Sequence, residues 1–171
     1  AYLPLGFLKH GRQSENYGHM NSIYHSEVTK KTYVFCHNET KKTGKKSSVL
    51  VLDSAFESIE MLQTTARNGH NICLFNDNLF YCNSEARSLM KNKTDMYCAE
   101  YYTRGLSITD KNILIGGSEF KSRKERGKSK GMVDVLDHDF NTCFSISIPG
   151  PVQEIRCFDN IDYALSQHKI D

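Results

Sequence analysis

Apolar and polar positions along the chain alternate with a period close to two. The runs KTYVFCHN, SSVLVLDS, HNICLFN, DNLFYCNS, RGLSITD, NILIGGS, GMVDVLD and FSISIPG are rich in β-branched and aromatic residues. Gly, Asn, Asp or Ser bounds each of them, which is the signature of short strands between turns. SAFESIEMLQTTAR alone has the composition of a helix, and its position in the repeat described next makes it a turn followed by an outer strand. The pattern predicts an all-β chain.

The strands recur in groups. NYGHMNSIYH and RNGHNICLFN open two similar segments 51 residues apart, and RGLSITDKNILIGGSEFKS follows the same plan. Each segment has a polar opening, a strand, a turn, a second strand and a small-polar-Glu ending, and two further strands follow. Units spaced by 34 to 51 residues suit four-stranded antiparallel propeller blades of ~40–50 residues. We therefore expect a single β-propeller or half-propeller domain over 1–171, with blades near 19–66, 69–102 and 103–149. Residues 150–171 would start a partial fourth blade at VQEIRCFD, behind an N-terminal segment 1–18. Closed propellers need ~4–8 blades. The expected completions are ring closure by YLPLGFL, pairing with a second copy, or the remainder of a longer chain. The abrupt start is what a fragment or a processed product would show. A non-repetitive β-sandwich is the alternative.

Composition changes this picture little. With 39% hydrophobic and 25% charged residues, the 171-residue chain is that of an ordinary folded domain. No apolar run approaches the ~18 residues needed to span a bilayer, and no signal-peptide pattern opens the chain. Six cysteines without a C-x-x-C pair lie in apolar runs, which predicts buried, reduced thiols and a cytoplasmic setting. The sequons at Asn38 and Asn92 point weakly the other way.

Charge is informative through its placement. KKTGKK (41–46) and KSRKERGKSK (121–130) hold ten of the 22 cations and one acid, Glu125. Both inserts join second to third strands, so they open on the same face as the loops leading into the inner strands. His19, His70, Arg104 and Glu154 stand at inner-strand starts and are expected around the channel mouth. Glu39, Glu85 and Glu119 follow second strands and should surround them. The glycine of each Gly-His pair would permit a tight turn into the strand. A basic rim concentrates anions, and Arg123 and Arg126 can grip a phosphate, sulfate or carboxylate in bidentate fashion. Nucleic acid is disfavoured, because the inserts lack interleaved aromatics and the net charge is only +2.

Three chemistries fit these residues. In the first, Arg104, Arg123, Arg126 and Ser118 contact an anion while His19, His70, Asn21 and Asn71 bond its hydroxyls. In the second, His19, His70 and Glu154 act as acids and bases. A divalent metal such as zinc, manganese or iron, held by His19, His70, Glu39, Glu85 and Glu119, would assist a lyase or hydrolase. In the third, the surface is a protein-interaction scaffold. His and Asn at strand starts also brace turns. GGSEF around Ser118 is not a nucleophile elbow, and GKKSS lacks phosphate-loop spacing.

The motifs His19-Met20-Asn21-Ser22, Gly69-His70-Asn71, Arg104-Gly105-Leu106, Gly116-Gly117-Ser118, Arg123 to Arg126 and Glu154-Ile155 occur in an order that resembles a family of uncharacterised bacterial proteins with a domain of unknown function. The resemblance covers roughly residues 19–160. It implies a β-propeller about twice this length, of which the chain would be a C-terminal half. The family's Pro and Arg around the second histidine are missing here, and the family implies no reaction. The expectation is a propeller that binds an anionic small molecule, sugar or nucleotide derivative at its mouth, as a homo-oligomer or as part of a longer chain.

Overall fold

The computed structural model describes residues 19–122 and 124–158. It is built from twelve strands in three four-stranded antiparallel sheets, each a simple meander. The first sheet holds β1 Met20–Ser26, β2 Lys31–Cys36, β3 Ser48–Leu52 and β4 Ser58–Gln63. β5 His70–Phe75, β6 Asn78–Asn83, β7 Ser88–Lys91 and β8 Thr94–Cys98 form the second. The third contains β9 Tyr102–Ile108, β10 Ile113–Ser118, β11 Lys130–Leu136 and β12 Thr142–Pro149. The first strands are neighbours in space, β1 packing on β5 and β5 on β9. This is the propeller-like arrangement expected from the repeat. SAFESIEMLQTTAR is the turn and outer strand β4, as its place in the repeat required.

Burial follows from that arrangement. The middle strands lie between the faces of adjacent sheets, so β2 and β3 read as nearly continuous buried runs. The outer strands β4 and β12 are exposed along most of their length. The core consists of Phe35, Val49, Tyr81, Leu89, Leu106, Ile115 and their neighbours, shared among all three sheets. Asp134 of β11 ties the second sheet to the third. Its carboxylate accepts hydrogen bonds from Tyr97 at 2.8 Å, Tyr101 at 2.8 Å and Ser145 at 2.5 Å. A buried carboxylate needs such donors to offset its lost hydration.

Every inner strand carries a bulge at the same place. Asn21 is skipped between Met20 and Ser22, Asn71 between His70 and Ile72, and Arg104 between Thr103 and Gly105. Each outer strand carries another, skipping Ile59, Met96 and Cys143. Bulges re-aim side chains and bend the strand. The register aligns His19 with Gly69 and Tyr102, so the two histidines of the repeated opening are one residue out of step. Gly69 also has a different task from the one expected. A Cβ on Gly69 would stand 2.5 Å from the Phe35 ring. Left-handed backbone falls instead to His19 (φ 40°), Asn68 (52°) and Asn71 (49°).

The expected fourth unit forms no strand over 151–158. Val152 and Ile155 nonetheless lie across the face of the third sheet, filling the space above Gly105 and Gly116. The N-terminal segment and residues 159–171 lie outside the described residues, and with them any ring closure by YLPLGFL. Burial of all six cysteines is corrected: Cys36, Cys73 and Cys82 are buried, Cys157 is half-buried, and Cys98 and Cys143 are exposed on outer strands. All six are free. Among the described residues no helix is long and apolar enough to cross a membrane.

Candidate functional site: a basic, ring-lined cleft

A cleft of about 620 Å³ opens where the inner strands begin and where the β2–β3 and β10–β11 connections return. The β2–β3 connection shapes one wall. Beyond β2, the His37 N–H still donates to the His19 carbonyl at 2.9 Å. Asn38 and Glu39 then both take left-handed backbone, φ 58° and 43°. That curl returns the Glu39 N–H to Nδ1 of His37 at 3.0 Å. One helical turn, α1 Thr40–Thr43, follows and carries Lys41 and Lys42 before Gly44 ends it at φ 73°. The Asn38 amide closes the loop by donating to Lys46 O at 2.7 Å and Ser48 Oγ at 3.0 Å.

The opposite wall comes from the second and third sheets. His70 Nδ1 lies 2.9 Å from Asn68 O and 2.8 Å from Ser84 Oγ, and the Ser84 hydroxyl donates to Thr103 O at 2.6 Å. Ring centres then run in sequence. His19 is 4.9 Å from His37, His37 is 5.2 Å from His70, and His70 is 6.3 Å from Tyr102. Phe120 stands 5.5 Å beyond Tyr102. Two cations lie over this row, Lys41 at 5.0 Å from the Phe120 centre and Arg104 at 5.4 Å from that of Tyr102. Both distances are within cation–π range.

Among the described residues four cations, Lys41, Lys42, Arg104 and Arg126, line the cleft against one carboxylate, Glu39. That carboxylate is engaged by Lys42 and stands 3.3 Å from His19 Nδ1. These contacts, Lys42 first, hold Glu39 below the usual carboxylate range. Burial first, then the nearby Arg104 charge and His37, together depress His70 to about 3. Burial, followed by the neighbouring His19, lowers His37 to about 4. Both rings are therefore neutral near pH 7.

The structure brings together five of the residues singled out in the sequence: His19, Glu39, His70, Arg104 and Arg126. Ser118 and Glu119 border a small recess beside the cleft, near Gln153. Glu119 pairs with Lys121 at 3.0 Å and accepts from the Lys130 N–H. By register Glu39 matches Glu85 and Phe120, so Glu119 sits one position off the cleft. Glu85 is held by Asn68 Nδ2 at 3.3 Å and Arg67 at 3.6 Å, behind the cleft wall. Glu154 is not at the mouth. With no fourth inner strand to present it, it is exposed and paired with Arg156, and Gln153 instead accepts from Arg104. The Asn21 amide donates to Gly69 O at 2.6 Å, and Asn71 occupies its bulge, so neither lines the cleft. Arg123 lies outside the described residues.

Among the described residues no three His, Cys, Asp or Glu side chains are grouped to hold a metal ion. The five proposed ligands are not assembled, because Glu85 and Glu119 face other partners and His70 Nδ1 is engaged by Asn68 and Ser84.

Sequence reasoning missed His37, Asn68, Tyr102 and Phe120. Aromatics are absent from within the basic loops along the chain, yet the fold sets Phe120 and Tyr102 among Lys41, Arg104 and Arg126.

No family model and no curated protein matches the chain. Among solved structures, BamB from Moraxella catarrhalis superposes with a TM-score of 0.41 at 10% identity, covering 82% of this chain and 38% of that one. The chain spans well under half of BamB. The propeller-like arrangement follows from the sheet order, the neighbouring first strands and the repeated bulges.

Proposed function

We propose that this chain is a propeller-like binding module whose cleft takes an anionic small molecule. The observation that carries the reading is the convergence of Lys41, Lys42, Arg104 and Arg126 around a pocket holding one already engaged carboxylate. Such an excess of positive charge in a concave, partly desolvated site favours anions more strongly than the same charges on a convex surface. Arg104 is braced by Gln153 and Tyr102, which presents its guanidinium with little loss of side-chain freedom on binding. The volume is in the range of small-molecule pockets, ~300–1,000 Å³.

Calorimetric titration with inorganic phosphate and sulfate at increasing sodium chloride tests the reading. The affinity is expected to fall with salt, and Arg104→Gln to weaken it about tenfold or more. Binding that ignores both salt and Arg104→Gln would sink it. The order of motifs that resembles an uncharacterised propeller family is compatible with this function.

A second reading, a protein-interaction scaffold, is favoured by one feature. The outer strands expose Ile59, Met61, Phe144 and Ile146 along open sheet edges, where another chain can pair. Association with a second copy belongs to this reading. A solution mass equal to one chain at all concentrations would remove that association.

A further inference from the structure

Two neighbouring imidazoles in the cleft are held in opposite tautomers. The Glu39 N–H donates to Nδ1 of His37 at 3.0 Å. That nitrogen therefore carries a lone pair, and the neutral ring keeps its proton on Nε2. His70 is the reverse. Its Nδ1 stands 2.9 Å from the Asn68 carbonyl oxygen, which can only accept, and 2.8 Å from Ser84 Oγ, whose proton goes to Thr103 O. Nδ1 of His70 therefore bears the proton, and Nε2 is a bare acceptor. Burial keeps both rings neutral near pH 7, so the two assignments persist together. Both rings line the cleft, with centres 5.2 Å apart and planes at 78°. The wall thus offers one neutral donor and one neutral acceptor beside the cations.

We infer that His37 and His70 read a hydroxyl group carried close to the anion, so that the ligand class is a hydroxylated phosphate ester such as a sugar phosphate. The inference rests on the anion-binding reading of the same cleft and adds its specificity. A hydroxyl can give its proton to His70 Nε2 while receiving one from His37 Nε2 or a neighbour. The oxygens of a fully ionised phosphate have no proton for His70, and an alkyl chain serves neither ring. A ligand without hydroxyls leaves both nitrogens facing a desolvated surface, and sites built around polar groups reject analogues lacking the partner more strongly than apolar pockets do.

The test uses ribose 5-phosphate and n-pentyl phosphate, equal in charge and carbon number, titrated calorimetrically at pH 7.5. Wild type is compared with His70→Asn and His37→Asn. Asparagine places its polar atoms near the Nδ1 position, so each variant keeps the bond to Asn68 O or from the Glu39 N–H and loses Nε2. Wild type is expected to prefer the ribose ester about tenfold, and each variant to bind the two esters within about twofold of one another. The pentyl ester should bind each variant at least as tightly as wild type, because the nitrogen it leaves unpaired is gone. Equal wild-type affinities for the two esters, or a preference that survives both substitutions, overturns the inference and leaves the anion site standing. Failure of wild type to bind either ester overturns both readings. Long-range proton–nitrogen NMR of the unliganded protein should show His37 protonated on Nε2 and His70 on Nδ1. The same tautomer in both rings overturns the inference whatever the titrations give.

Discussion

Acid should destabilise this fold through His70 in a way that can be isolated. In the folded chain burial and Arg104 bring that imidazole from its ordinary 6.5 down to about 3. Between those values the unfolded chain binds more protons than the folded one, so stability rises with pH. The contribution is fully present above pH 6.5 and is lost as pH falls towards 3. Between pH 7 and pH 5 the unfolded ring becomes almost fully protonated while the folded ring stays neutral, which removes about 2 kcal/mol. His37, lowered to about 4, acts in the same direction and by a similar amount over this window, and it is common to both proteins compared below. His70→Asn removes the titrating ring and keeps a donor for Asn68 O. Urea unfolding of wild type and His70→Asn at both pH values gives four stabilities, in which effects common to the two proteins cancel. Wild type is expected to lose about 2 kcal/mol more than the variant on going from pH 7 to pH 5. Equal losses would mean that His70 is hydrated or charge-compensated in the folded chain, and the account of the cleft wall would fail with it.

Three other outcomes follow from contacts elsewhere. A Cβ on Gly117 would stand 2.1 Å from Tyr102 O and 2.7 Å from the Tyr101 ring. Gly117→Ala should therefore cost more than about 3 kcal/mol in denaturant titration, against less than about 0.5 for Gly127→Ala, where nothing lies within 4 Å. Tyr101→Phe takes one donor from buried Asp134, and thermal melts should register a loss of about 1.5–3 kcal/mol. Native-state titration with a thiol reagent should modify Cys98 and Cys143 quickly, while Cys36, Cys73 and Cys82 react only on unfolding. Burial also raises the Cys82 thiol to about 12, leaving almost no thiolate to react.

A repeat in the backbone is better preserved than the repeat in the letters. The segments LDSAFE and LDHDFN fold alike. Asp53 accepts from the N–H groups of Ala55 and Glu57, and Asp137 from those of Asp139 and Asn141. Phe56 and Phe140, 84 residues apart, both adopt left-handed backbone at φ 59° and 66°. The shared L-D-x-x-F was legible and would have located the β3–β4 and β11–β12 turns. The Gly-His pair, by contrast, was a misleading marker of register. One of its histidines precedes the strand and the other begins it. Both rings nonetheless line the cleft, so the slip offsets their register without sending either to the far face.

The sequence by itself determined the all-β class, the grouping of strands in fours, the outer placement of SIEMLQ, and the face on which both basic loops return. These depend on local periodicity and turn chemistry, which neighbouring residues specify. Only the tertiary structure decided which side chains meet in the cleft. His37, Tyr102 and Phe120 carry no local signal of function, and Glu154 lost its expected place because residues 151–158 form no strand. Pocket membership depends on where bulges at Asn21, Asn71 and Arg104 shift the register and on how one sheet stacks against the next. Those are long-range packing outcomes, and no stretch of neighbouring residues encodes them alone.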